Sequence, residues 1–205
     1  PSSCSTTEME TGIYGGTFNP GHLGHIHLLK AAAPCFDRIL VMPDRVPPHK
    51  EAEMLASGED RAAMLRLAVS DIPKAEVCTL ELEAEGRSYT YLTLRKLRAL
   101  YPDDRFTLII GGDMLRTFKE WRNWEEILGN ASLLAAARDD GEYERLLRTA
   151  ADFPGARVLK VPPLPMSSTG VREEAAAGKP LTGMVPPAVE DYIKTHRLYQ
   201  NERTD

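Results

Sequence analysis

The feature that most constrains the fold is the alternation of short apolar runs with stretches of helical periodicity. The runs that begin at Arg38 and Phe106 are apolar almost throughout, which is typical of strands buried on both faces of a parallel sheet. The alternation predicts a doubly wound, Rossmann-like α/β fold with a mostly parallel sheet and helices on both faces. We expect strands at residues 12–16, 38–43, 75–82, 105–112, 132–138 and 156–162, and helices at about 22–33, 59–71, 89–100, 113–128, 142–151, 168–177 and 186–197.

Composition narrows the class of protein. The 205 residues favour a single domain, in which the polar residues 1–10 are expected to form a flexible tail. A net charge of −5 without a long single-sign block argues against a protein that coats nucleic acid. The three cysteines show neither metal-ligand spacing nor an even disulfide set, which favours a reducing cytoplasm. No apolar run approaches the roughly 18 residues of a membrane span. A membrane is therefore not an expected partner, and the charge argues in the same way against nucleic acid.

The stretch "GIYGGTFNPGHLGH", from Gly12 to His25, combines a strand end, a glycine-rich turn and two histidines. A helix that begins here offers free N–H groups and a partial positive charge to an anion, and the glycines let a ligand approach the backbone. His22 and His25 are predicted to share one helical face and to donate hydrogen bonds to phosphate. Gly24 between them is expected to leave a flat surface for a planar base. The alternative is a tight turn with its histidines at the surface.

A second stretch, "PMSSTGVR" at residues 165–172, lies near the other end of the chain. Serine and threonine are preferred N-caps, so a helix start with three hydroxyls and Arg172 would form a second anion site. Taken alone, the stretch is better explained as an ordinary N-cap with a surface arginine. Two anion sites that meet at the switch point of the sheet would together suit a triphosphate.

Polar residues between these stretches add three candidates. Lys50, with His49 beside it, is placed to reach a phosphate from the long loop at residues 43–54, unless that loop is merely solvated. Asp113 follows a strand, where a carboxylate commonly holds ribose hydroxyls, and it is able to cap the next helix at the same time. Ser88 is expected to cap the helix at 89–100.

Two tryptophans, Trp121 and Trp124, are expected on one face of the helix at 113–128, where core packing is the default role. Arg122 between them is expected to point into solvent, as a long cation beside tryptophans on a helix commonly does.

The first stretch resembles the His-x-Gly-His signature of the nucleotidyltransferase superfamily. Its Gly-Gly-Thr-Phe-Asn-Pro prefix looks like the nicotinate-nucleotide adenylyltransferase family in particular. "SSTGVR" is similar to the Ser-Ser-Thr-x-x-Arg motif of that family, and "PPHK", "SYT" and the closing "VPPAVEDYIKTHRLY" have counterparts there as well. The resemblance covers about residues 12–199. Two departures stand out: Arg122 replaces an aromatic residue, and "ARDDG" replaces a different turn, which leaves the contacts of Arg138 open.

The resemblance implies roles for individual residues. In the family, the histidines of the signature stabilise the transferring α-phosphate, the Ser-Ser-Thr-x-x-Arg motif holds the β- and γ-phosphates, and one tryptophan stacks on the pyridine ring. The implied catalytic residues are His22, His25, Lys50 and Arg172. The implied ATP-binding residues are Gly15, Gly16, Thr17, Phe18, His22, Gly24, His25, Gly111, Asp113, Ser167, Ser168, Thr169 and Arg172. The implied acceptor-binding residues are Gly16, Thr17, His49, Lys50, Ser88, Tyr89, Thr90, Trp121 and Arg122.

The implied reaction joins nicotinate mononucleotide to ATP, giving deamido-NAD and pyrophosphate. Mg²⁺ is expected with ATP and held mostly by substrate and water, because the sequence shows no carboxylate cluster for a protein metal site. The alternatives are a transferase of the same fold that uses another acceptor, such as nicotinamide mononucleotide, or a nucleotide-binding sensor without turnover. A dinucleotide oxidoreductase is disfavoured because the chain lacks the Gly-x-Gly-x-x-Gly turn. Both a monomer and a homodimer are compatible with the sequence.

Overall fold

A computed structural model describes residues 8–45, 54–86 and 88–200. Within these ranges the strands are β1 (Glu10–Gly16), β2 (Arg38–Pro43), β3 (Ala75–Val77), β4 (Arg105–Gly111), β5 (Ala131–Ala137) and β6 (Arg157–Lys160). The α-helices are α1 (Leu23–Ala32), α2 (Gly58–Ala68), α3 (Thr90–Leu100), α4 (Gly112–Arg116), α5 (Trp124–Asn130), α6 (Asp140–Ala150), α7 (Ser168–Ala176) and α8 (Pro187–Thr195). None of these described helices is both long enough and apolar enough to cross a membrane.

The six strands form one sheet in the order β3-β2-β1-β4-β5-β6, and every neighbouring pair is parallel. Strand β2 shows why its sequence is apolar throughout. Ile39 and Val41 pack into the core on one face of the sheet, whereas Leu40 and Met42 pack into the core on the other face. Helices α1, α2, α7 and α8 cover the first face, and α3 to α6 cover the second. The predicted doubly wound fold is therefore confirmed.

The switch point of the sheet lies between β1 and β4. From β1 the chain continues through α1 on the first face, whereas from β4 it continues through α4 and α5 on the second face. The two connections diverge and leave a crevice outside the carboxyl ends of these strands, where ligands bind in open parallel sheets. Gly16 and Gly111 are the last residues of β1 and β4, so both lie at this crevice.

The single helix predicted at residues 113–128 is wrong. The segment consists of α4, a 3-10 turn at Phe118–Glu120 and α5. Trp121 has an extended backbone, with φ −70° and ψ 140°, and Asn123 is left-handed, with φ 54°. A continuous helix cannot pass through either conformation, and asparagine tolerates the left-handed region better than most residues.

Some predicted boundaries also differ from the structure. The tail predicted to reach residue 10 is too long, since Glu10 already belongs to β1 and the carbonyl of Met9 accepts a hydrogen bond from the Arg105 N–H at 2.9 Å. Residues 1–7 lie outside the described ranges. The strand predicted at residues 75–82 is limited to β3, which has only three residues.

Candidate active site

One asparagine anchors the loop that joins β1 to α1. The Oδ1 atom of Asn19 accepts hydrogen bonds from the Ala56 N–H at 3.1 Å and from the Tyr199 hydroxyl at 2.7 Å. Its Nδ2 atom donates to the carbonyl of Met54 at 3.1 Å. Asn19 is only 6% exposed, so water competes little for these bonds. A loop fixed from three directions is able to hold a ligand in one geometry.

His22 and His25 lie side by side at the amino end of α1, but only His25 belongs to the helix. His22 is the N-cap residue, outside the helix, and its Nδ1 accepts from the Gly24 N–H at 3.1 Å. The His22 N–H in turn donates to Nδ1 of His25 at 3.1 Å. This is a reciprocal capping box built from two imidazoles, whose rings stack with their centroids 3.8 Å apart.

Both imidazoles are neutral at pH 7. Burial lowers the pKa of His22 to about 4, and burial together with the neighbouring His22 lowers the pKa of His25 to about 3. Because each Nδ1 accepts a backbone N–H, the proton of each neutral ring belongs on Nε2. The pair therefore offers two Nε2–H donors.

Two residues that are predicted to contact the nucleotide, Gly24 and Phe18, also support this histidine pair. A Cβ atom on Gly24 would lie 2.9 Å from the ring of His22 and 3.4 Å from Cγ of Met166, so a larger residue would collide with the imidazole, and the contact of Gly24 with a base stays a prediction. The ring of Phe18, which is 2% exposed, meets that of His25 edge-on with a centroid distance of 5.0 Å. Gly24 makes room for one imidazole, and Phe18 packs against the other.

The second anion motif begins α7 and contacts the loop of residues 17–22. The Ser168 hydroxyl donates to the carbonyl of Pro20 at 2.9 Å. The guanidinium of Arg172 donates to the carbonyl of Asn19 at 2.8 Å. The two motifs come from opposite ends of the chain and meet at the crevice, as the sequence predicts.

The amino end of α7 is open to solvent. Ser167 is its N-cap, and the Ser167 hydroxyl accepts from the Gly170 N–H at 3.0 Å. The Thr169 hydroxyl accepts from Arg172 at 3.2 Å. Ser167 and Thr169 are both exposed. The positive end of the helix dipole is therefore accessible to an anion.

Asp113 lies in the first turn of α4, beside the end of β4. The N-cap of this helix is Gly111, so the suggestion that Asp113 caps it is wrong. The Asp113 side chain is 71% exposed and pairs with Arg116 and, at 3.6 Å, with Arg138. Exposed pairs of this kind contribute at most about 1 kcal/mol. The carboxylate is therefore free to exchange these partners for a ligand, and its contact with a ribose stays a prediction.

A cavity of about 580 Å³ opens between the carboxyl ends of β1, β2 and β4 and the amino end of α3. Its lining includes most of the described residues predicted to bind the acceptor: Gly16, Ser88, Tyr89, Thr90, Trp121 and Arg122. Thr17 is outside the lining, but its hydroxyl donates to Asp44, which belongs to it, at 3.3 Å. His49 and Lys50 lie outside the described residues, so their roles stay predictions.

The start of α3 supplies polar groups to this cavity. Its N-cap is Tyr89 rather than the expected Ser88, and no side chain in the described ranges caps the first N–H groups. The Ser88 Oγ is buried close to the Glu81 carboxylate, but within the described ranges it makes no hydrogen bond of ordinary geometry. Uncapped helical N–H groups carry partial positive charge, so this wall of the cavity favours an anionic group.

Another part of the cavity wall is aromatic. Trp121 lines the cavity and packs against Phe118, with ring centroids 5.2 Å apart, whereas Trp124 begins α5 and packs towards Phe153. The two tryptophans therefore do not share a helical face. Arg122 is exposed, but it does not simply point into solvent, because its guanidinium lies 5.0 Å from the centre of the Tyr89 ring.

Sequence reasoning missed three carboxylates that line the cavity, Asp44, Glu81 and Glu120. Burial raises the pKa of Asp44, against the opposing influence of Arg61. Burial also raises the pKa of Glu81, whose Oε1 accepts from the Thr93 hydroxyl at 2.8 Å. Asp44 had a usable signal, since it directly follows a strand that ends at the crevice. Glu81 had none, because the strand predicted around it ends earlier.

The order of the strands is the 3-2-1-4-5-6 order of Rossmann-like nucleotide-binding proteins, and two helix starts meet at its switch point. The family model described as "Cytidylyltransferase-like" matches residues 13–174. A probable nicotinate-nucleotide adenylyltransferase from Halalkalibacterium halodurans is 36% identical over 200 residues, which cover 94% of this chain and 92% of the relative. A protein of the same name from Synechococcus sp. (strain JA-3-3Ab) is 42% identical over 197 residues, which cover 94% of this chain and 95% of the relative. The chain therefore belongs to the cytidylyltransferase-like family and, within it, to the nicotinate-nucleotide adenylyltransferases.

Solved structures agree on the fold. The nicotinic acid mononucleotide adenylyltransferase of Plasmodium falciparum, complexed with NaAD, superimposes with a TM-score of 0.73 at 21% identity, covering 93% of this chain and 97% of that one. A putative nicotinate-nucleotide adenylyltransferase from Vibrio parahaemolyticus gives a TM-score of 0.69 at 20% identity, covering 94% and 96%.

Proposed function

We propose that this protein transfers the adenylyl group of ATP to nicotinate mononucleotide, forming deamido-NAD and pyrophosphate. The main support is that the anion-binding helix starts and the acceptor cavity are adjacent at one glycine turn. The anion-binding helix starts of α1 and α7 meet at the loop after Gly16, and Gly16 also lines the acceptor cavity. An enzyme that joins two nucleotides needs such adjacency, because its reacting phosphates must lie side by side.

The chemical step is an in-line displacement. An oxygen of the acceptor 5′-phosphate forms a bond to the α-phosphorus of ATP, while the bond from that phosphorus to the β-bridging oxygen breaks and its electron pair leaves with pyrophosphate. The attacking oxygen is already ionised, so the enzyme contributes positioning and charge stabilisation. The Nε2–H donors of His22 and His25 are suited to the charge that develops on the α-phosphate, because the capping box holds both rings in place before that charge appears.

The remaining ATP contacts follow from the α7 start. Its open N–H groups and Arg172 take the β- and γ-phosphates, which leave as pyrophosphate, and Lys50 assists from its loop. Gly111 at the end of β4 lets the adenosine approach the backbone closely. The Asp113 carboxylate accepts hydrogen bonds from the ribose hydroxyls of the adenosine.

The acceptor enters the cavity with its carboxylate towards the start of α3. The uncapped N–H groups of this helix and the Ser88 hydroxyl offer donors to that carboxylate. Trp121 stacks on the pyridinium ring, whose positive charge is attracted to the aromatic face. An amide would gain less from the same partial positive charge, so the site favours the acid.

Mg²⁺ is assigned to the ATP substrate rather than to a protein site. In the described ranges no group of three or more histidine, cysteine, aspartate or glutamate side chains is arranged to hold a metal ion. Mg²⁺ would then be held mostly by the triphosphate and by water.

The direct test is an assay with ATP and a panel of acceptors. We expect pyrophosphate and deamido-NAD from nicotinate mononucleotide, with much lower kcat/KM for nicotinamide mononucleotide. Binding of ATP without release of pyrophosphate would instead favour the sensor, and a preference for the amide would reassign the acceptor.

Acceptor preference should survive the loss of Arg122. Arg122→Ala is expected to keep the ratio of kcat/KM for acid and amide within a few-fold of wild type, because the start of α3 and not the arginine selects the carboxylate. Trp121→Ala should lower kcat/KM for both acceptors by roughly 3- to 10-fold, the value of one aromatic stack. Steady-state kinetics with both acceptors checks this. Loss of the preference in Arg122→Ala would contradict readout by the helix start.

Arg172 should act mainly on ATP. Arg172→Ala is expected to raise the KM for ATP roughly 10-fold or more and to slow turnover, because charge-assisted hydrogen bonds to phosphate are lost. Arg172→Lys should recover only part of the effect, since lysine lacks the bidentate fork. The exposed Arg148 of α6 provides the control, and Arg148→Ala should leave the KM for ATP unchanged. Wild-type kinetics in Arg172→Ala would reduce the residue to a surface arginine.

A further inference from the structure

Tyr199 lies beyond α8, in the segment that follows the last described helix. Its side chain nevertheless reaches the loop of residues 17–22 between β1 and α1, called the ATP loop below. The residue is only 6% exposed, and its hydroxyl donates to Oδ1 of Asn19 at 2.7 Å across 180 positions of sequence. Burial raises the pKa of this phenol, so the hydroxyl keeps its proton and acts as a donor.

The backbone around Tyr199 is held in an uncommon conformation. Arg197 and Tyr199 are both left-handed, with φ 52° and 60°. Residues other than glycine adopt this region at a cost, and they persist there where surrounding contacts determine the path of the chain. Here the Leu198 N–H donates to the carbonyl of Ile193 at 3.0 Å, and the aromatic ring of Tyr199 is buried in the core on the first face of the sheet. The segment therefore presents the hydroxyl at a fixed position.

Asn19 connects Tyr199 to Arg172. Its side chain bonds Tyr199, while its carbonyl accepts from Arg172 at 2.8 Å. None of these three residues belongs to the lining of the acceptor cavity. A change in the position of Asn19 would therefore act on the triphosphate site directly, through Arg172, whereas none of the hydrogen bonds of Asn19 described above reaches a residue of the cavity lining.

We infer that Tyr199 is a positioning residue for ATP: through Asn19 it fixes Arg172 in the orientation that receives the triphosphate. The inference rests on the proposed function for the identity of the nucleotide. It makes the closing segment of the chain part of the ATP site, although Tyr199 itself touches no substrate.

The test compares two tyrosine-to-phenylalanine variants. Tyr199→Phe keeps the buried ring and removes only the hydroxyl, and Asn19 Oδ1 retains its bond from the Ala56 N–H. The matched control is Tyr192→Phe, since the Tyr192 hydroxyl in α8 also donates a hydrogen bond, but to Asp60 of α2 at 2.8 Å. We expect Tyr199→Phe to raise the KM for ATP roughly 3- to 10-fold, the value of one hydrogen bond, with the KM for the acceptor and kcat within about 2-fold of wild type. Tyr192→Phe should change neither KM.

A double-mutant cycle with Arg172→Ala tests the route. Once Arg172 is absent, removing the Tyr199 hydroxyl should raise the KM for ATP by less than about 2-fold, because coupled residues are not additive. Full additivity would overturn the proposed connection, and an unchanged KM for ATP in Tyr199→Phe would overturn the inference. A parallel rise of both KM values would show a merely structural role.

Titration calorimetry with ATP alone separates this inference from the proposed function. If wild type binds ATP but does not turn over, the function is wrong, while weaker ATP binding by Tyr199→Phe still supports the positioning role, and equal binding overturns it. If Tyr199→Phe is too unstable for kinetics, the rise in melting temperature on adding ATP gives the same comparison, because each variant is measured against its own unliganded state.

Discussion

Replacing His25 with alanine should lower kcat by roughly 10²- to 10³-fold, the range observed when one preorganised donor to a developing oxyanion is lost. The KM for ATP should change much less, since the Nε2–H donor acts on charge that appears in the transition state. Steady-state kinetics with both substrates varied gives the two constants separately. Near-normal turnover in both His25→Ala and His22→Ala would exclude the assignment.

His25→Ala also removes half of a helix cap, so a second variant has to separate capping from catalysis. In His25→Asn the side-chain oxygen lies near the position of Nδ1 and is able to accept the His22 N–H, but no group replaces Nε2. We expect this variant to recover the melting temperature and not the turnover. The matched control at an exposed site, His196→Asn, should leave both unchanged. Recovery of kcat in His25→Asn would assign the histidine to the cap alone.

We expect His22 and His25 to stay unprotonated over the pH range in which an ordinary histidine titrates. Because burial lowers both pKa values, to about 4 and about 3, protons bind to the folded protein only well below the ordinary histidine pKa of 6.5. NMR signals of the two imidazoles should therefore stay unchanged from pH 8 to about pH 5.5. A midpoint near 6.5 for either ring would mean that it is solvated, and the two-donor arrangement would then fail.

The strands and their layering could be predicted because the physical signal is local. A strand covered on both faces needs apolar residues at every position, and the runs at β2 and β4 satisfy this. The broken helix after β4 could not be predicted in the same way. Its composition suits a helix, and the interruption depends on the left-handed Asn123, which a sequence pattern does not distinguish from a helical asparagine.

The candidate site shows the same division between local and tertiary signals. The two motifs could be found because each combines glycine, hydroxyl or imidazole groups with a helix start. The stacked capping box could not, since histidine is not among the usual N-cap residues and α1 was expected to begin at His22. The link from Tyr199 to Asn19 spans almost the whole chain, and only the folded structure brings the two residues together.

Arg61 in α2 is the residue whose removal should most reduce stability. It is 1% exposed, and its guanidinium donates to the carbonyl of Thr17 at 2.7 Å and to that of Ala56 at 3.2 Å. It also pairs with Asp44 at 3.6 Å. Arg61→Ala leaves two carbonyls without their donor and one carboxylate without its counter-charge. We expect the free energy of unfolding to fall by about 3–5 kcal/mol, the cost of breaking a buried ion pair.

Urea denaturation measures this loss as a lower midpoint with an unchanged slope. Arg66 lies in the same helix but is exposed, so Arg66→Ala should stay within about 0.5 kcal/mol of wild type. Arg61→Met separates the causes, because methionine fills most of the space but donates no hydrogen bond. If methionine restores the stability, Arg61 acts by packing. If the free energy of unfolding of Arg61→Met stays near that of the alanine variant, the hydrogen bonds to Thr17 and Ala56 hold the ATP loop against α2. The buried charge of Arg61, although costly, is then retained because it fixes the geometry of that loop.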